Sequence, residues 1–447
     1  MVDVPLQTPQ MDKTYDVVVV GGGAAGLSGA MALGRARRSV LVIDAGAPRN
    51  APAAHVHNYL GREGTSPEEL LAIGRSEVAQ YGVAVIAGKV AAASRQDDGT
   101  FGVTLEGQQI SARRLLVTTG LADELPDIPG VAEAWGRTVL HCPYCHGWEV
   151  RDQALGILGQ GALSIHQAQL FRQLSKDVVV FLHTAPPLSD DEAEQLAARG
   201  IQVVEGKVVG WEAGGVRMSS GELVPRQALV VSTRADASAE VLASIGLETA
   251  ELEMGGQAVG SYVPADQSGL TAVPGVWVAG NVSDPRAQVL GSAAAGLQAG
   301  AAINADLIAE EARLAVEYDR VFGAAAWETR YREQATRWSG NPNPELVAET
   351  SDLAPGTALD VGCGEGADAL WLAGRGWRVT ATDISTVALA RAAARAKQEG
   401  LDVEWRHADL LAAPPPAAAY DLVSAQFMQL PATERVSLYG HLAAAVA

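Results

Sequence analysis

Three times along this chain an apolar strand runs directly into a glycine-rich turn that opens a helix. Tyr15–Val20 enters Gly21-Gly22-Gly23-Ala24-Ala25-Gly26, Ala154–Leu158 enters Gly159-Gln160-Gly161-Ala162, and Ala358–Val361 enters Gly362-Cys363-Gly364-Glu365-Gly366. A continuous β-branched run is buried on both faces, and a helix must return across it, so each unit predicts a parallel sheet covered by helices. The predicted class is therefore α/β, built from Rossmann-like units. Glycine at such turns lets the backbone approach a phosphate, and the helix N-terminus beyond it favours negative charge.

The first unit carries the fullest signature. A second strand, Ser39–Ile43, ends in Asp44, where a carboxylate meets an adenosine ribose, so Gly21, Gly23 and Gly26 read as a dinucleotide loop. The loop after it contains Asn50, His55, His57 and Asn58, with the histidines expected to be solvated. Strand Arg114–Val117 leads to Thr119-Gly120, an ending that lets backbone approach a cofactor closely. In the second unit the strand Val178–Leu182 ends in His183-Thr184, which offers neither the acid that holds an NAD ribose nor the arginines that hold an NADP phosphate. A domain kept for its fold alone is one reading of that ending.

Between these two glycine loops lies Cys142-Pro143-Tyr144-Cys145-His146, with two of the chain's three cysteines. Two cysteines spaced this way close a small disulfide, and at a helix start the free N–H groups stabilise a thiolate. The bland alternative is half of a zinc site, but Cys363 lies in another motif, so no metal site is expected. Few cysteines also fit a reducing compartment, where such a pair is catalytic.

With 447 residues, 48% of them hydrophobic, there is room for two or three domains, each with a core. A net charge of -19 argues against nucleic acid or anionic lipid as partner. Residues 1–13 carry no leader pattern and read as a flexible start, and no run is long enough to span a bilayer, so a cytoplasmic protein is expected.

In this order, Asp16 to about Arg320 resembles the low-molecular-weight thioredoxin reductases, in which a nicotinamide-type domain is inserted into a flavin domain. The resemblance implies an FAD domain over 14–120 and 246–320, and an NAD(P)-type domain carrying the cysteines over 121–245. It implies FAD held by Gly21, Gly23, Gly26 and Asp44, with Asn50, Thr119, Gly120 and Gly280 as further contacts and Asn281 and Gln288 at the ribityl chain and ring. Gly159 and Gly161 would form the NADP loop. Cys145 would face the flavin, and Cys142 would exchange with substrate. The reductases carry an acid where this chain has His146, an aspartate where it has Asn281, and an arginine-rich site where it has His183-Thr184. With His141 and His146 flanking the pair, the stretch looks more like the related sulfhydryl oxidases, which close disulfides in small dithiols and lack a working nicotinamide site. A histidine is the better proton acceptor near neutral pH.

Beyond Arg320 the composition changes without a flexible linker. The third glycine loop, a strand ending in Asp383, and His407-Ala408-Asp409 after the next strand resemble class I S-adenosylmethionine-dependent methyltransferases. That resemblance implies Asp360, Gly362 and Gly364 around the methionine portion, Asp383 on the ribose and Asp409 near the adenine. Trp327, Arg330, Tyr331 and Trp338 look like the lid of the thiopurine and tellurite-resistance type. The family continues for three more strands where this sequence stops, so a partial domain over 321–447 with weakened cofactor affinity is expected.

The expected activity is FAD-dependent oxidation of a small dithiol by dioxygen through Cys142 and Cys145, in a homodimer, beside a methyltransferase-like module. Two alternatives stand: an NADPH-dependent reductase of thioredoxin or a similar protein, and a flavin-binding scaffold without turnover.

Overall fold

The computed structural model describes residues 14–447 except Ala162, Phe427, Gln429 and Pro431. The expected flexible start over 1–13 and Ala162 of the second glycine turn lie outside the described residues. The chain divides into two compact units between Leu307 and Ile308. That division falls inside the helix Val289–Phe322, ahead of the 320/321 boundary expected from sequence.

In the first unit, Tyr15–Val20 is the centre of a seven-stranded sheet, flanked in parallel by Val40–Asp44 and by Gln108–Val117. Ala84–Ala87 extends one side, Val276–Val278 also pairs with Gln108–Val117, and Phe101–Leu105 and Val90–Arg95 close the other side antiparallel. Successive side chains alternate between faces. Val17 and Val19 meet Ala30, Leu33, Trp277 and Ile303, whereas Val18 and Val20 meet Leu41, Leu115 and Val117. Burial on both sides explains why the last four residues of the strand are all valine.

Helix Ala24–Arg35 crosses helix Val289–Phe322 almost backbone to backbone. A methyl group on Gly296 would lie 1.9 Å from the Ala25 carbonyl oxygen, and one on Gly300 2.6 Å from that of Gly29.

Two short strands, Leu121–Glu124 and Arg234–Ala237, pair antiparallel and form a neck. Thr119 Oγ1 donates to the Ser238 carbonyl at 2.6 Å and the Ser238 N–H to that of Gly120 at 3.0 Å, which ties its base. The neck continues into a hairpin of Ala250–Met254 and Gln257–Tyr262.

Between the neck strands sits an inserted body with a parallel five-stranded sheet. Its order is Gln202–Val204, Val178–Phe181, Leu155–Leu158, Ala228–Val230, Val139–Leu140. The cysteines follow its edge strand directly.

The second unit holds a parallel four-stranded sheet ordered Val403–His407, Arg378–Asp383, Thr357–Val361, Leu422–Ala425. The chain reverses direction across the sheet beside Thr357–Val361, which places the third glycine loop at a switch point. Leu422–Ala425 is an edge strand. Among the described residues no helix is long and apolar enough to cross a membrane.

Candidate active site

Cys142 caps a four-residue helix, Pro143–His146, none of whose residues is buried. Proline at the first helical position fixes φ without wasting an N–H, so the chain turns from Val139–Leu140 directly into this helix. The two sulfurs lie 2.6 Å apart, with Cys145 donating to Cys142. That hydrogen bond pulls the Cys142 thiol well below its ordinary range, against the cost of burial. Backbone N–H groups of Cys145 and Tyr144 and the Arg49 guanidinium add to the pull. Cys145 moves the opposite way, because it shares its proton with the neighbouring sulfur and is partly desolvated. The pair is thus polarised, with Cys142 the more readily ionised sulfur.

Both flanking histidines are uncharged. His141 stacks on Trp135 with ring centroids 5.6 Å apart, and burial, helped by the Arg49 charge, lowers its pKa to about 4. Burial also lowers that of His146, whose Nε2 is buried without a hydrogen-bond partner. Arg49 is held beside the site by a two-pronged pair with Asp123, at 2.6 and 2.8 Å. His57, expected to be a solvated loop residue, instead bridges Glu63 at 2.7 Å and Glu149 at 3.3 Å. Arg49, Asp123, His57 and Glu149 escaped the sequence reading, because their partners lie far along the chain and no motif links them.

Residues 15–300 match the family model of the pyridine nucleotide-disulphide oxidoreductases. The chain belongs to that family. A methyltransferase domain matches residues 358–447. Among solved structures, HlmI is 43% identical with a TM-score of 0.64, covering 70% of this chain and 98% of that one. An oxidoreductase from Agrobacterium tumefaciens is 30% identical with a TM-score of 0.63, covering 66% and 99%. Thioredoxin reductase sirT of Leptosphaeria maculans is 30% identical over 312 residues, 65% of this chain and 93% of its own length. Thioredoxin reductase tcpT of Claviceps purpurea is 37% identical over 175 residues, 37% of this chain, and the match spans only 54% of the relative's length.

The oxidoreductase family implies FAD, and the first glycine loop fits it. Gly21 has φ +105°, and a methyl group there would lie 2.5 Å from the Thr118 carbonyl oxygen; one on Gly26 would lie 1.9 Å from that of Gly21. Helix Ala24–Arg35 starts at Gly23 with no side-chain cap and no acid in its first turn, so its leading N–H groups are left for a phosphate. Asp44 stands against Gly22, at the ribose end. Gly280, with φ +78°, packs on Ala25 of the same helix. Other expected contacts are engaged within the protein. The Asn281 side-chain amide donates to the carbonyls of Asp284 and Ala287, and Thr119 serves the neck. Gly120 has φ +72° beside it, the Asn50 carbonyl accepts from Ala53, and that of Gln288 accepts from Ser292 at the start of the long helix.

The second glycine loop does not fit NADP. The Gly159 carbonyl accepts from Thr184 and Ala185, and the Gln257 side chain lies where a Cβ of Gly161 would be, 1.9 Å from it. His183 sits at φ +44° with Nδ1 accepting from Val208. The loop that follows Val178–Phe181 reads Leu182-His183-Thr184, with no arginine or acid of its own. A cavity of about 460 Å³ remains there, lined by Gln160, His183, Thr184, Lys207 and Asp127 among others.

In the methyltransferase domain, Gly362 and Gly364 have φ of +67° and +53°. Asp383 accepts from the N–H groups of Gly364 and Ser385, both at 2.8 Å. Asp360 is buried with Oδ2 unpartnered, and its desolvated carboxyl is pushed up to about 8. An unpaired acid at the foot of a glycine loop fits a cationic ligand such as S-adenosylmethionine. Met428 lies over Gly362, and Tyr331, accepting from Trp338 Nε1 at 3.0 Å, over Gly364. Asp409 is exposed and caps the Leu411 N–H. Among the described residues no group of three or more histidine, cysteine or acidic side chains is placed to hold a metal.

Proposed function

We propose that this oxidoreductase takes electrons from a small dithiol substrate through Cys142 and Cys145. The observation that supports the direction is the second glycine loop, where the Gln257 side chain crowds Gly161 and the strand ends in His183-Thr184, so a nicotinamide donor has no ready seat while two imidazoles flank the cysteines. A thiol must lose its proton before it attacks, and a neutral imidazole receives it. FAD, held by Gly21, Gly23, Gly26 and Asp44, would supply a two-electron acceptor for the cysteine pair that dioxygen can reoxidise. The chain's own residues do the rest. A substrate thiol gives its proton to His146, and the thiolate attacks Cys142 Sγ. The Cys142–Cys145 bond breaks, and Cys145, which holds its proton tightly, leaves and is protonated. His146 having passed its proton to Cys145, the second substrate thiol gives up its own proton, attacks the first sulfur, closes the product disulfide and expels Cys142, which takes that proton. A low pKa makes Cys142 the better leaving group at this second exchange. The substrate has lost two electrons and two protons, and the cysteines have gained them.

The test is an anaerobic titration of the purified flavoprotein. A dithiol should bleach the flavin band and NADPH should not, and Cys142→Ser should abolish bleaching. Rapid bleaching by NADPH would support the second reading, a disulfide reductase, which the names of the curated relatives favour. Dithiol turnover unchanged in Cys142→Ser would support a scaffold.

S-adenosylmethionine bound by Asp360, Gly362, Gly364 and Asp383, with Asp409 at the adenine, completes the proposal. Calorimetric titration checks it, with binding lost in Asp360→Asn. A cytoplasmic homodimer is part of the same reading, and sedimentation measures the oligomer.

A further inference from the structure

The short cysteine helix has little of its own to hold it. None of its four residues is buried, and Tyr144 and Trp148 are 64% and 65% exposed. Its far end is fixed to the inserted body, because Gly147 is packed so closely on Leu174 that a Cβ would lie 2.3 Å away. Two further contacts, one on each side of Gly147, hold the segment from elsewhere. Asn58 Nδ2 donates to the Tyr144 carbonyl at 2.7 Å, and His57 Nε2 reaches Glu149 at 3.3 Å. Both residues belong to the other side of the neck, in the loop that follows the first sheet's second strand.

That loop is braced to do this. Val56, only 3% exposed, bridges to Thr65, and Glu63 takes the His57 Nδ1 contact on one oxygen and the Asn58 N–H at 2.8 Å on the other. Asn58 itself has φ +59°, a left-handed conformation that asparagine tolerates better than most side chains. The loop therefore presents one neutral donor and one imidazole across the boundary, and each finds an acceptor on the segment 143–149. The charged or titratable groups around His57 are Glu63 and His55 on its own loop and Glu149 and His146 on the cysteine segment.

We propose that His57 and Asn58 are positioning residues that latch the cysteine segment to the body carrying the first glycine loop and so set where the sulfurs stand for electron transfer. The proposal rests on the reading that electrons pass between this pair and a flavin. Neither residue exchanges a proton or an electron in it. They act through Tyr144 and Glu149.

The test uses the flavin-loaded full chain carrying Asn58→Gly, which keeps the left-handed backbone and removes the donor, combined with His57→Ala. Anaerobic stopped-flow bleaching by dithiothreitol should slow by at least about tenfold, as small misplacements of reacting groups do. Iodoacetamide alkylation of Cys142 in the reduced protein should proceed at the wild-type rate or faster, since the sulfur is no less exposed. Hydrogen exchange over 143–150 and 55–63 should accelerate, with the rest of the inserted body unchanged. Unchanged bleaching, or alkylation slowed in proportion to bleaching, overturns the latch. If dithiothreitol fails to bleach even the wild-type protein, the proposed function falls, and exchange over 143–150 still decides the latch: no acceleration refutes it.

Discussion

The inequality of the two sulfurs is the chemical centre of this chain. Cys142 owes its low pKa first to the proton that Cys145 shares with it, so Cys145→Ala should raise the pKa of Cys142 toward that of an ordinary thiol. The pH dependence of iodoacetamide alkylation measures this, and an unmoved midpoint would assign the effect to Arg49 and the helix N–H groups instead. His141 gives a second handle. It stays neutral in the folded protein down to about pH 4, whereas the unfolded chain takes up the proton near pH 6.5. The stability this provides is present above pH 6.5 and is lost as the pH falls toward 4, amounting to at most about 3 kcal/mol. His141→Phe, which keeps a ring against Trp135, should flatten the fall in urea midpoint between pH 7 and pH 4.5 relative to wild type. Cys142, Cys145, His141 and His146 were legible because they adjoin in sequence. Arg49, His57 and Gln257 were not, since folding alone brings each to its partner, and a histidine in a Pro- and Gly-marked loop looks the same whether or not an acid from another body meets it.

The glycine loops show why strand, turn and helix were readable together. A valine run buried on both faces has one fate, and Gly26 has no alternative when a methyl group would sit 1.9 Å from a carbonyl oxygen. Gly26→Ala should therefore leave the protein purified without flavin and should destabilise the first unit by roughly 1–3 kcal/mol, visible in absorbance and in thermal melting. The neck was not readable, because Leu121–Glu124 and Arg234–Ala237 are short, mixed in character and separated in sequence by the whole inserted body. In the third loop, burial keeps a proton on Asp360 up to about pH 8, while the unfolded carboxyl loses it near pH 4. Stability is then fullest at acid pH and declines as the pH rises through 8. Asp360→Asn should raise the melting temperature of the second unit at pH 8.5 and leave it nearly unchanged at pH 5.

The two units keep separate cores: the valine-rich sheets on one side of Leu307, and Leu359, Ala381, Trp377 and Leu442 on the other. Calorimetry should resolve more than one transition. Added FAD should raise only that of the first unit and S-adenosylmethionine only that of the second, by about 2.7 kcal/mol at a hundredfold excess over Kd. One transition moved by both ligands would contradict separate cores. The division at Leu307 falls inside helix Val289–Phe322, which continues past it with no break in composition. That helix carries one more implication, through its contact with Ala24–Arg35. Each residue advances a helix by about 100°, so inserting or deleting a single position before Gly296 would swing Leu297 or another bulky neighbour into a space that admits only hydrogen. Descendants of this gene can exchange amino acids on the exposed side of that helix, but they cannot change its length there.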